Sequence, residues 1–274
     1  MIYRTVSDEG SNMHFEEIAS NILNAYNGVY QIAPFSSGGS QISVTAAYEV
    51  SRRLTDLRGW QVIGRKIGFT NKSIWPLYGV NQPMWGPVSS SSLEICEGVE
   101  ATVYVSEYCE PRIEPEIVLG FGEAPALDAS LDEIVSCIDW VAPGLEVVHS
   151  IYPGWKFEIP DTIAAGGLHG KLIVGPKCTP SDNLIAALES QAVTLSKNTV
   201  EVETGTGRNV LGGPVSAVQY LLQGIKDISG EEPLNSGDLV TTGTLTDAKP
   251  LISGDTWEAH YHGLINGSLR LKVI

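Results

Sequence analysis

Three acidic side chains in apolar surroundings carry the strongest chemical signal in the sequence. Glu114 and Glu116 lie two residues apart in Pro111-Arg112-Ile113-Glu114-Pro115-Glu116-Ile117-Val118-Leu119. On an extended strand that spacing projects both from one face. Ile113, Ile117, Val118 and Leu119 draw the segment toward a core, where two carboxylates repel unless a proton or a cation intervenes. A hard divalent ion that takes oxygen ligands resolves the repulsion. Glu146, in Ala142-Pro143-Gly144-Leu145-Glu146-Val147-Val148, is again an acid inside an apolar strand. Three carboxylates with the remaining positions open describe a Mg²⁺ or Mn²⁺ site with room for a chelating substrate. The competing reading is an exposed edge strand with solvated glutamates, and spacing alone leaves both standing.

Lys66 is the second focus. It follows Arg65 between Val62-Ile63-Gly64 and Ile67-Gly68-Phe69, in a strand with little other charge. A desolvated lysine there serves an anionic substrate or acts as a tuned acid/base group; a lysine whose head reaches solvent from the strand end is the alternative. His260 and His262 share one strand face, suited to a metal or simply exposed near the C-terminal end. His149 and His169 sit in glycine- or acid-rich surroundings that suit a binding loop.

The elements that must position these groups follow from periodicity. Phe15, Ile18, Ile22, Leu23 and Tyr26 have helical spacing, and Val44, Ala47, Tyr48 and Leu54 mark a second helix with Ser40 as its N-cap. With little strand signal before residue 58, residues 1–58 read as a small helical cap and 59–274 as the catalytic domain. From Trp60 onward strands dominate. Val99, Ala101, Val103 and Val105 alternate with polar residues, and further strands are expected over 62–69, 113–121, 144–148, 171–174, 193–197, 200–203, 238–242 and 257–262. Asn266-Gly267 is a hairpin turn between apolar runs. Ser130-Leu131-Asp132-Glu133 is a capping box ahead of a helix carrying Ile134 and Ile138, and Gly213-Pro214 opens another helix with Pro at its first position. Strands with inserted helices make an α+β fold rather than an alternating nucleotide-binding sheet. Gly205-Thr206-Gly207 falls in a loop, and neither GxGxxG nor a Walker loop is present.

Composition excludes several functions. The 274 residues carry 17 Lys+Arg against 32 Asp+Glu, a formal charge of −15, with 43% hydrophobic residues. That balance opposes binding to nucleic acid phosphates or anionic membranes. No run approaches the roughly 20 apolar residues of a membrane span, and Met1–Gly10 lacks the basic-then-apolar pattern of a secretory signal. Four cysteines without a CxxC read as reduced and buried. A cytoplasmic protein is expected.

Taken together, several segments resemble the 2-keto-4-pentenoate hydratase and 4-oxalocrotonate decarboxylase group of the fumarylacetoacetate hydrolase superfamily. They are Gly64–Thr70 (GRKIGFT), Arg112–Ile117 (RIEPEI), Leu145–Val148 (LEVV), Phe157–Ile163 (FEIPDTI) and Thr242-Gly243-Thr244. Each is weak alone; their order and spacing are specific. The resemblance implies a strongly bent mixed β roll with a small helical N-terminal part, assembled as a homo-oligomer. It implies Mg²⁺ or Mn²⁺ on Glu114, Glu116 and Glu146, and catalytic roles for Lys66, Asp161 and His169. Arg65, Met84, Trp85, Gly166 and Thr244 are its expected substrate contacts. The implied substrate is a 2-oxo acid or its 2-hydroxy-dienoate tautomer, held through its C1 carboxylate and C2 oxygen. A cation there stabilises the enolate that develops at C2.

Two positions depart from the pattern. Where the hydratases carry an acid before an aromatic and Gly, this chain has Met84-Trp85-Gly86, and methionine shuttles no proton. Where Ala-Asp-Asn usually follows Asp161, it has Ala164-Ala165-Gly166-Gly167-Leu168-His169. The metal-enolate half is retained and the polar half that activates water is stripped, which leans toward decarboxylation. Lys249-Pro250-Leu251 and Trp155-Lys156-Phe157 lean the same way. A tautomerase or C–C bond hydrolase in which His169 replaces the lost groups is one alternative. A catalytically silent subunit paired with a partner lyase is the other.

Overall fold

Apolar residues at helical spacing become two N-terminal helices in the computed structural model, which describes residues 8–38, 42–72, 75 and 82–274. Helix α1 (Asp8–Gly28) buries Ile18, Ile22, Ala25 and Tyr26. Helix α2 (Val44–Leu57) buries Ala47, Tyr48, Val50 and Leu54. Its N-cap is Ser43, whose hydroxyl accepts the Ala46 N–H at 3.1 Å; the expected cap, Ser40, lies outside the described residues. The two helices pack on each other, and α2 also packs on the short helix α4 (Ile159–Ala164). The Tyr26 hydroxyl donates to the Ala165 carbonyl at 2.7 Å.

The remaining chain forms two curled mixed sheets, the α+β arrangement expected from the strand and cap signals. The first runs β2 (Met84–Ser89), β1 (Val62–Gly68), β10 (Leu239–Thr244), β5 (Arg112–Phe121), β6 (Ile138–Val148), β7 (His169–Val174), β3 (Leu93–Ile95). β11 (Lys249–Pro250) also pairs with β5. Among the described pairings of this sheet, only β1 with β10 and β3 with β7 are parallel. The second sheet runs β4 (Glu100–Val103), β13 (Gly267–Val273), β12 (Thr256–His262), β8 (Ala192–Lys197), β9 (Val200–Thr206). The buried Tyr261 joins the two, its hydroxyl donating to the carbonyls of Gly144 at 2.8 Å and Glu116 at 3.0 Å.

Helices α3 (Leu131–Cys137), α5 (Leu184–Ser190) and α6 (Pro214–Asp227) cover the sheets. The capping box at Ser130 and the proline opening α6 are present as expected. Several local expectations are corrected. Helix α3 stops at Cys137, so Ile138 already begins β6. Gly205 and Thr206 end β9 instead of forming a loop. All four cysteines are free, but Cys137 and Cys178 are only half-buried. Strands β2 and β3 carry no sequence alternation that would announce them. No helix among the described residues is long and apolar enough to cross a membrane.

Candidate metal centre and its cavity

Strand β5 lies between β10 and β6, not at an edge. That placement disposes of the solvated-glutamate reading: Glu116 and Glu146 are both 0% exposed. Antiparallel register sets Glu114 directly opposite Glu146, and Glu116 follows on the same face. One oxygen from each of the three lies within 4.8 Å of the others, the only such group of three potential ligands among the described residues.

Pro115 explains a second feature. Its carbonyl accepts the Leu245 N–H at 2.9 Å, so its missing N–H also faces the β10 side. There the register shifts between Thr241 and Thr244. The irregularity frees the Gly243 N–H, which donates to Glu116 Oε2 at 2.9 Å, and the Thr241 hydroxyl donates to the same oxygen. Gly243 has φ +104°, and a Cβ there would lie 2.2 Å from Thr70 Oγ1, so only glycine fits. One carboxylate oxygen of Glu116 is thus fixed, while Oε1 is buried without a hydrogen-bond partner.

Lys66 is 4% exposed, so its head does not reach solvent. Its Nζ sits 3.2 Å from Glu146 Oε2 and 3.2 Å from the Gly167 carbonyl. The contact with Glu146 brings the charges together without hydrogen-bond geometry, so Oε2 also lacks a hydrogen-bond partner. Gly167 has φ +73°, with room for a Cβ only 2.9 Å from Lys66 Cδ. On the other oxygen of Glu146, His169 Nδ1 lies at 2.7 Å, and His169 Nε2 lies 2.9 Å from Ser92 Oγ.

Electrostatics follow from this packing. Burial pushes the Glu114 carboxyl up to about 7; Lys66 pulls against that shift and Glu146 adds to it. Burial drives Glu116 well above the usual carboxylate range, with Glu146 and Glu114 adding to the rise. For Glu146 burial also favours the neutral form, but Lys66 and His169 outweigh it and the carboxyl falls below its ordinary value. Burial disfavours the Lys66 ammonium, yet the three carboxylates hold it charged above its usual range. With all three carboxylates ionised, they exceed the one Lys66 ammonium by two negative charges. Buried oxygens without hydrogen-bond partners and a twofold charge excess both suit a divalent, oxygen-seeking ion.

A cavity of about 550 Å³ opens over Lys66 and Glu114. Met84 and Thr244 line it, together with Phe69, Thr70, Asn71, Arg112, Trp155, Phe157, Thr162, Gly167 and Leu168. Five expected site residues lie elsewhere. Arg65 projects from the opposite face of β1 to Lys66, where it lines a separate pocket beside Glu231 and Glu232. Trp85 alternates with Met84 in the same way, stacks on Tyr48 at 4.2 Å and donates to Glu231 at 2.8 Å. Asp161 is buried under the Glu158 N–H at 2.8 Å and the Ser36 hydroxyl at 2.6 Å, so it ties the loop at Ser36 to α4. Gly166 lies against β2, its carbonyl facing Gly86, and its neighbour Gly167 lines the cavity in its place. His169 stands behind Glu146, outside the cavity lining.

His149 is buried with Nδ1 accepting the Cys109 N–H, and the His260 and His262 rings lie tilted with centroids 4.3 Å apart on β12 of the second sheet, with His260 hydrogen-bonded to Ser268. Arg112 was legible only as part of a motif. Its guanidinium rests over the Trp155 ring at 4.3 Å, a contact from residues 43 positions apart that no local pattern announces.

Comparison with known proteins agrees with this geometry. Residues 91–274 match the profile of the fumarylacetoacetate (FAA) hydrolase C-terminal family. The chain is 30% identical over 263 residues to a 2-keto-4-pentenoate hydratase of Paraburkholderia xenovorans (strain LB400), covering 94% of each chain. It is 29% identical to a 4-oxalocrotonate decarboxylase of Pseudomonas sp. (strain CF600), covering 92% of this chain and 95% of that one. The solved 4-oxalocrotonate decarboxylase of Pseudomonas putida G7, complexed with magnesium and adipate, superposes with a TM-score of 0.86 at 27% identity, over 99% of this chain and 100% of that one.

Proposed function

The chain belongs to the fumarylacetoacetate hydrolase family, and on that premise we propose that it is a divalent-metal-dependent lyase, of hydratase or decarboxylase type, acting on a 2-oxo acid or 2-hydroxy-dienoate. The convergence of Glu114, Glu116 and Glu146 on one point carries this reading. Those three residues would hold Mg²⁺ or Mn²⁺, which supplies Lewis acidity to the carboxylate and 2-oxo oxygens of the substrate.

The chain's own residues do the rest. Lys66 offers N–H donors and a positive charge at the cavity floor, where charge grows on the substrate oxygen as the enolate forms. Its contact with Glu146 keeps it protonated and aimed. His169 fixes the Glu146 carboxylate from behind, a positioning role. Phe69, Met84, Trp155, Phe157 and Leu168 give the cavity an apolar wall that restricts water. Residues 1–58 serve in this reading as the helical cap and 59–274 as the catalytic roll.

Arg112 favours an acid with two carboxylates. It lies two residues before Glu114 on the same strand face, about 7 Å away, and lines the cavity without an ion pair among the described residues. A six-carbon dicarboxylate such as 4-oxalocrotonate spans that distance, with one end at the carboxylate triad and the other at the guanidinium. This leans toward the decarboxylase type. We also propose a homo-oligomer: β9 exposes Val200 and Val202 at the edge of the second sheet, apolar surface that a second copy covers. Sedimentation velocity reads the oligomer directly.

The test of function is turnover by the metal-loaded protein of 2-keto-4-pentenoate, 2-hydroxyhexa-2,4-dienoate and 4-oxalocrotonate, followed by ultraviolet absorbance. Loss of absorbance with Mg²⁺ supports the lyase, and released CO₂ separates decarboxylation from water addition. Inertness toward all three with metal bound contradicts it.

A further inference from the structure

A second pocket, sharing no lining residue with the substrate cavity, opens between α1, the end of α2 and the start of β7, with a volume of about 380 Å³. Arg58, the residue that caps α2, stands in it between two rings. Its guanidinium carbon is 4.3 Å from the Tyr26 ring centroid and 4.2 Å from that of Trp60. Such contacts hold the cation by its faces and leave the N–H edges unused. Among the described residues, Arg58 makes no side-chain hydrogen bond and no ion pair. A planar fork of five donors, pre-oriented and partly desolvated, matches the geometry of a carboxylate.

The neighbouring side chains complete the receptor. His149 Nδ1 accepts the Cys109 N–H at 3.3 Å, so its neutral ring carries the proton on Nε2. Burial, with the nearby Arg58 charge, pushes its pKa down to about 3 and keeps the ring neutral. Its ring is clamped by Tyr26 at 4.9 Å and Tyr108 at 5.1 Å. Neither His149 Nε2 nor the Tyr108 hydroxyl has a hydrogen-bond partner among the described residues. The one carboxylate on the lining, Glu107, is exposed and does not pair with Arg58.

We propose that this pocket binds a small carboxylate anion, held by the Arg58 guanidinium with His149 Nε2 and the Tyr108 hydroxyl as further donors. A single cation with neutral donors beside it suits a monoanion better than a phosphate dianion, which Glu107 would also repel. The pocket stands on its own residues and does not depend on the proposed reaction. It does share a wall with the candidate metal centre, because His169 lines it and bonds Glu146.

Trp60 is a built-in reporter. Titrating the full-length protein with sodium acetate, at constant ionic strength set with chloride, should change tryptophan emission saturably, and Trp60→Phe should remove that change. Arg58→Met should weaken half-saturation by about tenfold or more, and His149→Phe, which keeps an aromatic ring between Tyr26 and Tyr108, should weaken it less. Arg58→Lys serves as the check if Arg58→Met fails to fold, and should also weaken binding because the fork is lost. Glu116→Gln and Lys66→Met should leave the acetate response intact, which separates this site from the reaction. No saturable change in the wild type overturns the proposal. So does loss of the response in Glu116→Gln, tighter binding of inorganic phosphate than of acetate, or a response that tracks protein concentration and so reports a second copy.

Discussion

Glu114 and Glu146 stand directly opposite each other on neighbouring antiparallel strands, their carboxylates converging with that of Glu116 in the interior of the sheet. Like charges in that position destabilise the fold unless something lies between them. In the metal-free protein burial, with that repulsion added, raises the Glu114 and Glu116 carboxyls and favours their protonation; with a divalent cation bound the resolution is coordination.

Stability should respond to pH in opposite senses with and without metal. Glu114 rises to about 7 and Glu116 rises well above the carboxylate range, so the folded state binds their protons more tightly than the unfolded chain does. Their contribution is therefore full below the ordinary carboxylate value of 4.5; the part from Glu114 is lost as pH climbs through about 7, and the part from Glu116 as pH climbs well above the carboxylate range. Mg²⁺ displaces those protons, so its stabilising effect grows across the same window. Thermal unfolding at about pH 5 and pH 8 should show a larger Mg²⁺-induced rise in Tm at the higher pH. An equal rise at both contradicts the competition.

Lys66→Met should separate substrate from metal. The variant leaves Glu146 without its buried counter-charge, which costs the metal-free protein about 3 kcal/mol. Mg²⁺ should recover much of that loss. kcat/KM should fall about a hundredfold or more, while calorimetry shows metal uptake retained. Unchanged kcat/KM would place the lysine outside the reaction.

His169→Phe should weaken metal binding by about 10–100-fold, because the ring no longer fixes the Glu146 oxygen. His169→Gln, which keeps a donor on that side, should recover part of the affinity. Equal losses in the two variants would assign the histidine a packing role only.

Arg112→Met should lower kcat/KM for 4-oxalocrotonate about 10–100-fold and leave 2-keto-4-pentenoate nearly untouched. Equal losses on both substrates would show that Arg112 does not read a second carboxylate.

What the sequence made legible was the triad, because two glutamates two apart and a third in an apolar strand carry both periodicity and charge. Lys66 was legible for the same reason, a lone ammonium in an apolar strand. Arg65 and Trp85 were misplaced by one residue of alternation: a strand turns neighbours to opposite faces, and Lys66 and Met84 took the cavity side. Asp161 is a buried acid whose partners, Ser36 and the Glu158 amide, include one 125 residues away, so its capping role was invisible locally. The freed Gly243 amide depends on how Pro115 meets a neighbouring strand, a consequence of register that only the folded sheet reveals.

The proposed chemistry needs one divalent ion held by Glu114, Glu116 and Glu146. Titrating metal-free protein with Mn²⁺, and following the loss of the free-ion paramagnetic resonance signal, counts the sites directly. The wild type should take up one Mn²⁺ per chain, and Mg²⁺ should compete for it. Glu116→Gln should take up none while unfolding at the same or a higher temperature than the metal-free wild type, since a neutral amide replaces a buried carboxyl that burial and its neighbours keep from ionising. Undiminished Mn²⁺ uptake in that variant, or a large loss of stability with uptake unchanged, would contradict the account.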